Sequence, residues 1–190
     1  MLEKLIALDT QLFLFLNGLH NPFWDTIMWY TSATATWVPL YALVLFFVFK
    51  NYKWKGFIVL FFLILVVLFA DKISVHLFKK VFERLRPCHN PEIAGLVHIV
   101  KAHCGGQYGF VSSHAANTFA FAAFTAPFFK NKKYTWFIFI WAAFVSYSRI
   151  YLGVHYPGDI LGGTLLGILI GYLLYKAYEL SYKYIENKKA

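Results

Sequence analysis

Five stretches of this chain stay apolar for long enough to cross roughly 30 Å of hydrocarbon, which takes about 20 residues of helix. They run at about Asp25 to Phe49, Gly56 to Phe78, Ser113 to Phe129, Tyr134 to Tyr151 and Pro157 to Tyr178. A chain patterned this way reads as an all-α integral membrane bundle of five spans. Composition agrees: 59% hydrophobic residues exceed what a soluble core of this length needs. Trp, Tyr and Phe recur beside charged residues at segment ends, as in the belts that sit at headgroup level. The 190 residues leave little room for a second domain, so one domain over 1–190 is expected.

The first 20 residues differ from the rest: Leu2, Leu5, Ile6, Leu8, Leu12, Phe13 and Leu16 are interrupted by Glu3, Lys4, Asp9 and Gln11. This pattern predicts an amphipathic helix lying in the interface, or a short first span that would bring the count to six. It has neither the positive start nor the small-residue cleavage site of a secretory signal, so the segment is expected to be kept.

Loop charges set the orientation. Lys50, Lys53 and Lys55 follow the first span, Lys130, Lys132 and Lys133 the third, and Lys176, Lys183, Lys188 and Lys189 the fifth. These ends share one side, cytoplasmic by the positive-inside rule, which sends the segment 79–112 and the turn from Ser148 to Tyr156 outward. The net charge of +9 falls in short clusters between apolar runs and forms no continuous basic face, so the partner expected is anionic lipid and not nucleic acid. The outward segment is itself basic (Lys79, Lys80, Arg84, Arg86, Lys101), which is consistent only if several of these residues bind an anion.

Three polar clusters fall at outward ends of spans. In KKVFERLRP, Lys79 and Arg86 lie seven residues apart, two helical turns, so a continuing helix would put both on one face before Pro87. Taken alone, two snorkelling interfacial cations are the simpler account. In VSSHAAN, Ser112 or Ser113 can cap the third span, whose free N–H groups then make an anion site, with His114 in the first turn. In SRIYLGVHYPGD, Pro157 suits the first position of a helix and Asp159 follows His155 by four residues. The carboxylate can then accept Nδ1–H of His155 and leave Nε2 free to attack, while Arg149 offers its fork to phosphate oxygens. An Arg149–Asp159 ion pair with a buried histidine is the bland alternative, and it explains neither of the other clusters.

Together the clusters resemble the type 2 phosphatidic acid phosphatase (PAP2) superfamily, membrane phosphatases that share a helical core with vanadium haloperoxidases. The family pattern is Lys-x6-Arg-Pro, then Pro-Ser-Gly-His, then Ser-Arg-x5-His-x3-Asp. The first and third are complete here, and the second reads Val111-Ser112-Ser113-His114, with Val and Ser in place of Pro and Gly. The resemblance implies His155 as nucleophile forming a phosphohistidine, Asp159 as its orienting carboxylate and His114 as general acid. It also implies Lys79, Arg86, Ser112 and Arg149, with the backbone N–H at Ser113, as phosphate ligands. Neither a metal nor another cofactor is implied. The substrate expected is a membrane lipid phosphate at the outer face of a bacterial inner membrane. The small chain looks most like the bacterial undecaprenyl pyrophosphate phosphatases of the superfamily; phosphatidylglycerophosphate and lipid A phosphatases share the same signature. A non-catalytic lipid-binding or lipid-moving protein is the reading from another class, and it gives no reason for holding His114, His155 and Asp159 together.

Cys88 and Cys104 both lie in the outward segment, where an oxidising exterior lets them pair across a loop of about 15 residues. Two alternatives stay open: a zinc site from Cys88-His89, His98 and His103-Cys104, and two free thiols. The other histidines, His20, His76, His89, His98 and His103, stand in no matching motif. Gly163, Gly167 and Gly171 make a smooth stripe on the last span, suited to packing inside the bundle or to a dimer interface. The oligomeric state is not legible.

Overall fold

The computed structural model describes residues 1–188; Lys189, counted above with the inner lysines, lies outside the described residues. Asn21 caps α2 (Pro22–Ser32) by accepting from the Trp24 N–H at 3.0 Å, with Pro22 at the first turn where its missing N–H costs nothing. Before it comes α1 (Leu2–Gly18). A short 3-10 turn at Thr34–Trp37 leads into α3 (Val38–Tyr52), and the 3-10 turn Lys53–Lys55 turns the chain back into α4 (Gly56–Ile73). α4 widens to π geometry over Ser74–Lys79 and ends in the single turn α5 (Lys80–Phe82). After an irregular segment come α6 (Ser113–Phe129), α7 (Lys132–Tyr151) and α8 (Pro157–Asn187). The fold is all-α: among the described residues the extended pairing is one isolated bridge between Leu85 and Tyr108.

α6 is the central helix. Ala115, Ala116, Ala120, Ala122 and Phe124 are fully buried, and α4, α7 and α8 surround it. The outer faces are apolar too: Phe57, Phe61, Ile64 and Leu68 on α4, and Leu161, Leu165, Leu169 and Leu173 on α8, are all exposed. Apolar side chains all round a bundle have lipid as their natural neighbour. The stretches Thr34–Phe82 and Pro157–Asn187 reach mean hydropathies of 2.6 and 1.6, enough in length and composition to cross a membrane. These helices belong to an integral membrane protein.

The run from Asp25 to Phe49 is not one helix, as its hydropathy had suggested. The chain leaves helical geometry at Ala33 (ψ 122°), the Trp37 indole N–H caps the broken end by donating to Thr31 C=O at 2.8 Å, and Pro39 restarts the helix. Lys79 and Arg86 do not share a helix face either. Helix ends at Phe82, Glu83 turns left-handed (φ 46°), and Arg86 sits in extended backbone whose N–H bonds Gln107 C=O at 3.0 Å.

α1 lies across one end of the bundle, pinned at successive turns of a single face. Asp9 accepts from the Gly158 N–H at 2.8 Å, Phe13 meets the Tyr156 ring edge-on with centroids 5.3 Å apart, and the Asn17 amide donates to Tyr151 C=O at 2.8 Å. Those contacts join the first turn of α8 to the last of α7. Leu5, Leu8, Leu12 and Phe15 point away, exposed. The opposite end is marked by Lys55, whose Nζ lies 2.6 Å from Glu186 of α8.

The glycine stripe packs within the chain. A Cβ at Gly163, Gly167 or Gly171 would strike the backbone carbonyls of Ser112, Ala116 and Ala120, so α6 and α8 touch backbone to backbone for more than two turns. Gly167→Val should therefore lower stability by about 1–3 kcal/mol through overpacking, read as a lower unfolding temperature in detergent, whereas Leu165→Val on the exposed face should leave it nearly unchanged.

Candidate active site

The close approach of α6 and α8 sets their first turns side by side. Ser112 caps α6, its Oγ accepting from the Ala115 N–H, and its own N–H donates to Asp159 C=O at 3.0 Å. Tyr156 caps α8 with Pro157 in the first turn, and Asp159 reaches back to accept from the Tyr156 N–H at 3.0 Å. The same oxygen, Oδ2, lies 3.3 Å from His155 Nδ1. A carboxylate facing Nδ1 selects the Nδ1–H tautomer and leaves the lone pair on Nε2. His155 is 1% exposed and Asp159 0%, so the pair is held away from bulk water.

Cations gather around that imidazole. Burial, followed by the charges of Arg86, Arg149 and Lys79, holds His155 well below its ordinary range, so the ring is neutral at neutral pH. Lys79 donates to Ser113 Oγ at 2.8 Å, and Ser113 in turn lies 2.8 Å from Ser74 Oγ. Ser113 was expected to act through its backbone N–H; its hydroxyl has the additional task of anchoring Lys79. Arg86 donates to Cys104 C=O at 3.1 Å and Tyr108 C=O at 3.3 Å, and burial lowers its guanidinium pKa from the ordinary value. Arg149 donates to Ser32 Oγ, while its Nε is buried with no hydrogen-bond partner. A buried guanidinium N–H without an acceptor, flanked by two more cations, is the setting an anion completes. The His114 ring lies within electrostatic reach of Arg149, His155 and Lys79. The three clusters thus meet at one place, from four different helix ends.

Cys88 and Cys104 form a disulfide, Cα to Cα 6.0 Å. With both sulfurs bonded to each other, Cys88-His89 and His103-Cys104 have no thiolate to offer zinc, and the free-thiol alternative also falls. The bridge fixes the segment that carries Cys104 C=O against Arg86. His98, given no chemical role above, has a structural one: its Nε2 meets Asp25 Oδ1 at 2.9 Å and ties the outward segment to α2.

A cleft of about 490 Å³ opens beside His114 and runs between α3, α4 and α6, lined by Ser32, Trp37, Tyr41, Leu63, Val67, Asn117 and Phe121. Its lining is mostly apolar, with polar groups at Ser32, Thr34, His114, Asn117 and Thr118. Asn117 Oδ1, one turn along from His114, is buried there without a partner.

Sequence reasoning missed four participants. Arg84 lay in the basic stretch with no motif to set it apart, yet it pairs with Asp159. Ser32 was placed inside a span; the break at Ala33 brings it to Arg149 and the cleft. Asn117 stood in the quoted VSSHAAN, but only the cleft shows its use. Gly109 allows the chain to pass over the histidine pair, since a Cβ there would lie 2.8 Å from Asp159 Oδ2 and 3.5 Å from His155 Nδ1. Its neighbours in GGQYGF gave no hint of this.

The depressed pKa of His155 has a direct readout. In 15N-histidine-labelled protein without substrate, the His155 ring should keep the nitrogen shifts of a neutral Nδ1–H imidazole as pH falls through the usual titration range near 6.5. A His155 that protonates there would contradict the site as described.

Similarity to known proteins agrees with this geometry. The chain is 43% identical over 180 residues to a lipid A 4'-phosphatase from Bacteroides thetaiotaomicron, covering 92% of this chain and 79% of the relative. It is 27% identical over 189 residues to an undecaprenyl-diphosphatase from Bacillus subtilis, covering 94% and 89%. Its fold matches the crystal structure of a transmembrane PAP2-type phosphatidylglycerolphosphate phosphatase from Bacillus subtilis with a TM-score of 0.68 and 25% identity, over 94% of this chain and 87% of that one. The family profile spans residues 56–183, the stretch that holds all three clusters. By this match, and by the fold that carries it, the chain belongs to the PAP2 superfamily of lipid phosphatases.

Proposed function

We propose that this protein removes a phosphate from a lipid A-type glycolipid at the outer face of a bacterial inner membrane, through a phosphohistidine on His155 and without a metal. The observation that carries the reading is the buried, unpartnered Nε of Arg149 beside a neutral His155, with Lys79 and Arg86 alongside. A phosphoryl group seated there meets cations on its oxygens and a nitrogen lone pair on its phosphorus.

In the first half-reaction His155 Nε2 forms the P–N bond as the P–O ester bond breaks. His114 gives its proton to the departing oxygen, and Asp159 holds Nδ1–H throughout. In the second, water attacks phosphorus, His114 takes the water's proton back, and the P–N bond breaks to release phosphate. Lys79, Arg86 and Arg149, with Ser112 and the N-terminal amides of α6, stabilise the charge that builds on the equatorial oxygens.

The cleft at His114 suits a leaving group with a lipid tail, and five crossings by α3, α4, α6, α7 and α8 would set it within one leaflet. Basic residues at the end of the bundle away from His155 favour that end as cytoplasmic. Substrate preference follows two clues. Identity is higher to the lipid A 4'-phosphatase than to the undecaprenyl-diphosphatase. Asn117, which lines the cleft, also has an Oδ1 without a donor, and an amino sugar offers one in its hydroxyl and amide groups where a polyprenyl chain has none.

The test is phosphate release by purified protein in detergent with EDTA, from lipid A 4'-phosphate, phosphatidylglycerophosphate and undecaprenyl pyrophosphate. Lipid A phosphate should be hydrolysed fastest and EDTA should not matter. His155→Ala should lower turnover by about a thousandfold or more, and His114→Ala by about a hundredfold or more. Asn117→Leu should narrow the preference for the glycolipid. No release from any substrate by folded protein would move the reading to lipid binding.

A further inference from the structure

Asp159 is a fully buried carboxylate, and such a charge persists only with partners on both oxygens. Oδ2 is divided between His155 Nδ1 and the Tyr156 N–H. Oδ1 has Arg84, whose Nη1 donates to it at 2.9 Å. The other arm of the same guanidinium, Nη2, donates to Asp9 Oδ2 at 2.7 Å, and Cζ lies over the Tyr156 ring, 4.0 Å from its centroid. The remaining Asp9 oxygen accepts from the Gly158 N–H at 2.8 Å, in the first turn of the helix that carries Asp159. Arg84 is thus clamped from below by an aromatic face and from both ends by carboxylates. It is only 26% exposed and Asp9 16%.

From this we infer that Arg84 is a positioning residue for the His155–Asp159 pair, and that Asp9 holds Arg84 in place, so that the docking of α1 across the bundle end sets the aim of the nucleophile. The inference rests on His155 being the nucleophile. Its physical content is a chain of charge-assisted hydrogen bonds, Asp9 to Arg84 to Asp159 to His155, in which each member fixes the orientation of the next. Without Arg84, Oδ1 of Asp159 is left buried and unpaired, and the carboxylate can rotate away from Nδ1 or take up a proton. Either change leaves the Gly109 backbone as the ring's remaining partner and loosens the hold on Nδ1–H, so the imidazole can adopt the other tautomer, which has no lone pair on Nε2. Both arms of Arg84 are taken by carboxylates, so phosphate binding is left to Lys79, Arg86 and Arg149.

The alternative is that Arg84 merely staples α1 to the bundle. The two differ in what a substitution moves. For a positioning residue, Arg84→Ala lowers kcat by about tenfold to a hundredfold with KM within about threefold. The 15N signals of His155, identified by their loss in His155→Asn, then change from a single Nδ1–H tautomer to a mixture in the substrate-free protein. Arg84→Lys recovers part of kcat, since an ammonium supplies the charge but cannot bridge two carboxylates in the same fork. Asp9→Asn shifts kcat and the tautomer the same way by a smaller factor, and its effect largely disappears in the Arg84→Ala background. For a staple, the unfolding temperature drops while kcat and the tautomer stay as in the wild type, and that result would overturn the inference. Should Arg84→Ala fail to fold, Arg84→Lys and Asp9→Asn give the same decision. His155→Ala, run beside them, separates the layers. If it keeps turnover, the nucleophile assignment is wrong; if it is inactive while the Arg84 and Asp9 variants behave as wild type, only the positioning role falls.

Discussion

Backbone contact between α6 and α8 is the constraint on which the site depends. Gly163, Gly167 and Gly171 let the α8 backbone rest on the carbonyls of Ser112, Ala116 and Ala120. That approach fixes the relative height of two helix N-termini, and the bond from the Ser112 N–H to Asp159 C=O locks it at the top. His114 and the His155–Asp159 pair come from different segments, and they face one another because these two helices cannot slide or separate without losing close packing along their length. Small residues do here what a hydrophobic core does in water, in surroundings where lipid gives side chains no reason to cluster.

Around that rigid seam the electrostatics are unbalanced by design. Lys79, Arg86 and Arg149 crowd a neutral imidazole, and the buried carboxylate nearby is already shared between His155 and Arg84. Each cation is aimed by a neutral group, Lys79 by Ser113, Arg86 by the Cys104 and Tyr108 carbonyls, Arg149 by Ser32, and none of these supplies a counter-charge. Gathering like charges in this way is costly, and an anion seated among them would relieve that cost. The disulfide serves the same end, because a loop that strayed would take the Arg86 acceptor with it.

The departures from a regular bundle are where the chemistry gains its surroundings. The break at Ala33 turns α2 out of line and delivers Ser32 to Arg149 and to the cleft. The left-handed turn at Glu83 ends helix early and lets Arg84 point to Asp159 while Arg86 turns to the Cys104 and Tyr108 carbonyls. α1 sets Asp9, Phe13 and Asn17 against the bundle end, with exposed leucines on its other faces.

Much of this was legible in the residues. The motif resemblance singled out Lys79, Arg86, Ser112, His114, Arg149, His155 and Asp159, and the i to i+4 step from His155 to Asp159 and the caps at Ser112 and Pro157 are local properties that a helix repeats wherever it forms. Apolar runs announced lipid-facing helices for the same reason: the signal is a sum over neighbouring residues. The break inside the run from Asp25 to Phe49 escaped notice, since hydropathy is blind to a change of one ψ angle, and the shared face of Lys79 and Arg86 assumed a helix that Glu83 ends. Asp9, Arg84, Gly109 and Asn117 could not be singled out at all. Asp9 meets Gly158 across 149 residues of chain and Arg84 meets Asp159 across 75, and no periodicity connects positions that far apart. Helix caps and the step from His155 to Asp159 are local and could be read from neighbouring residues; which charges face which could not, because long-range pairing is chosen by packing and by the demand that a buried charge find its partner.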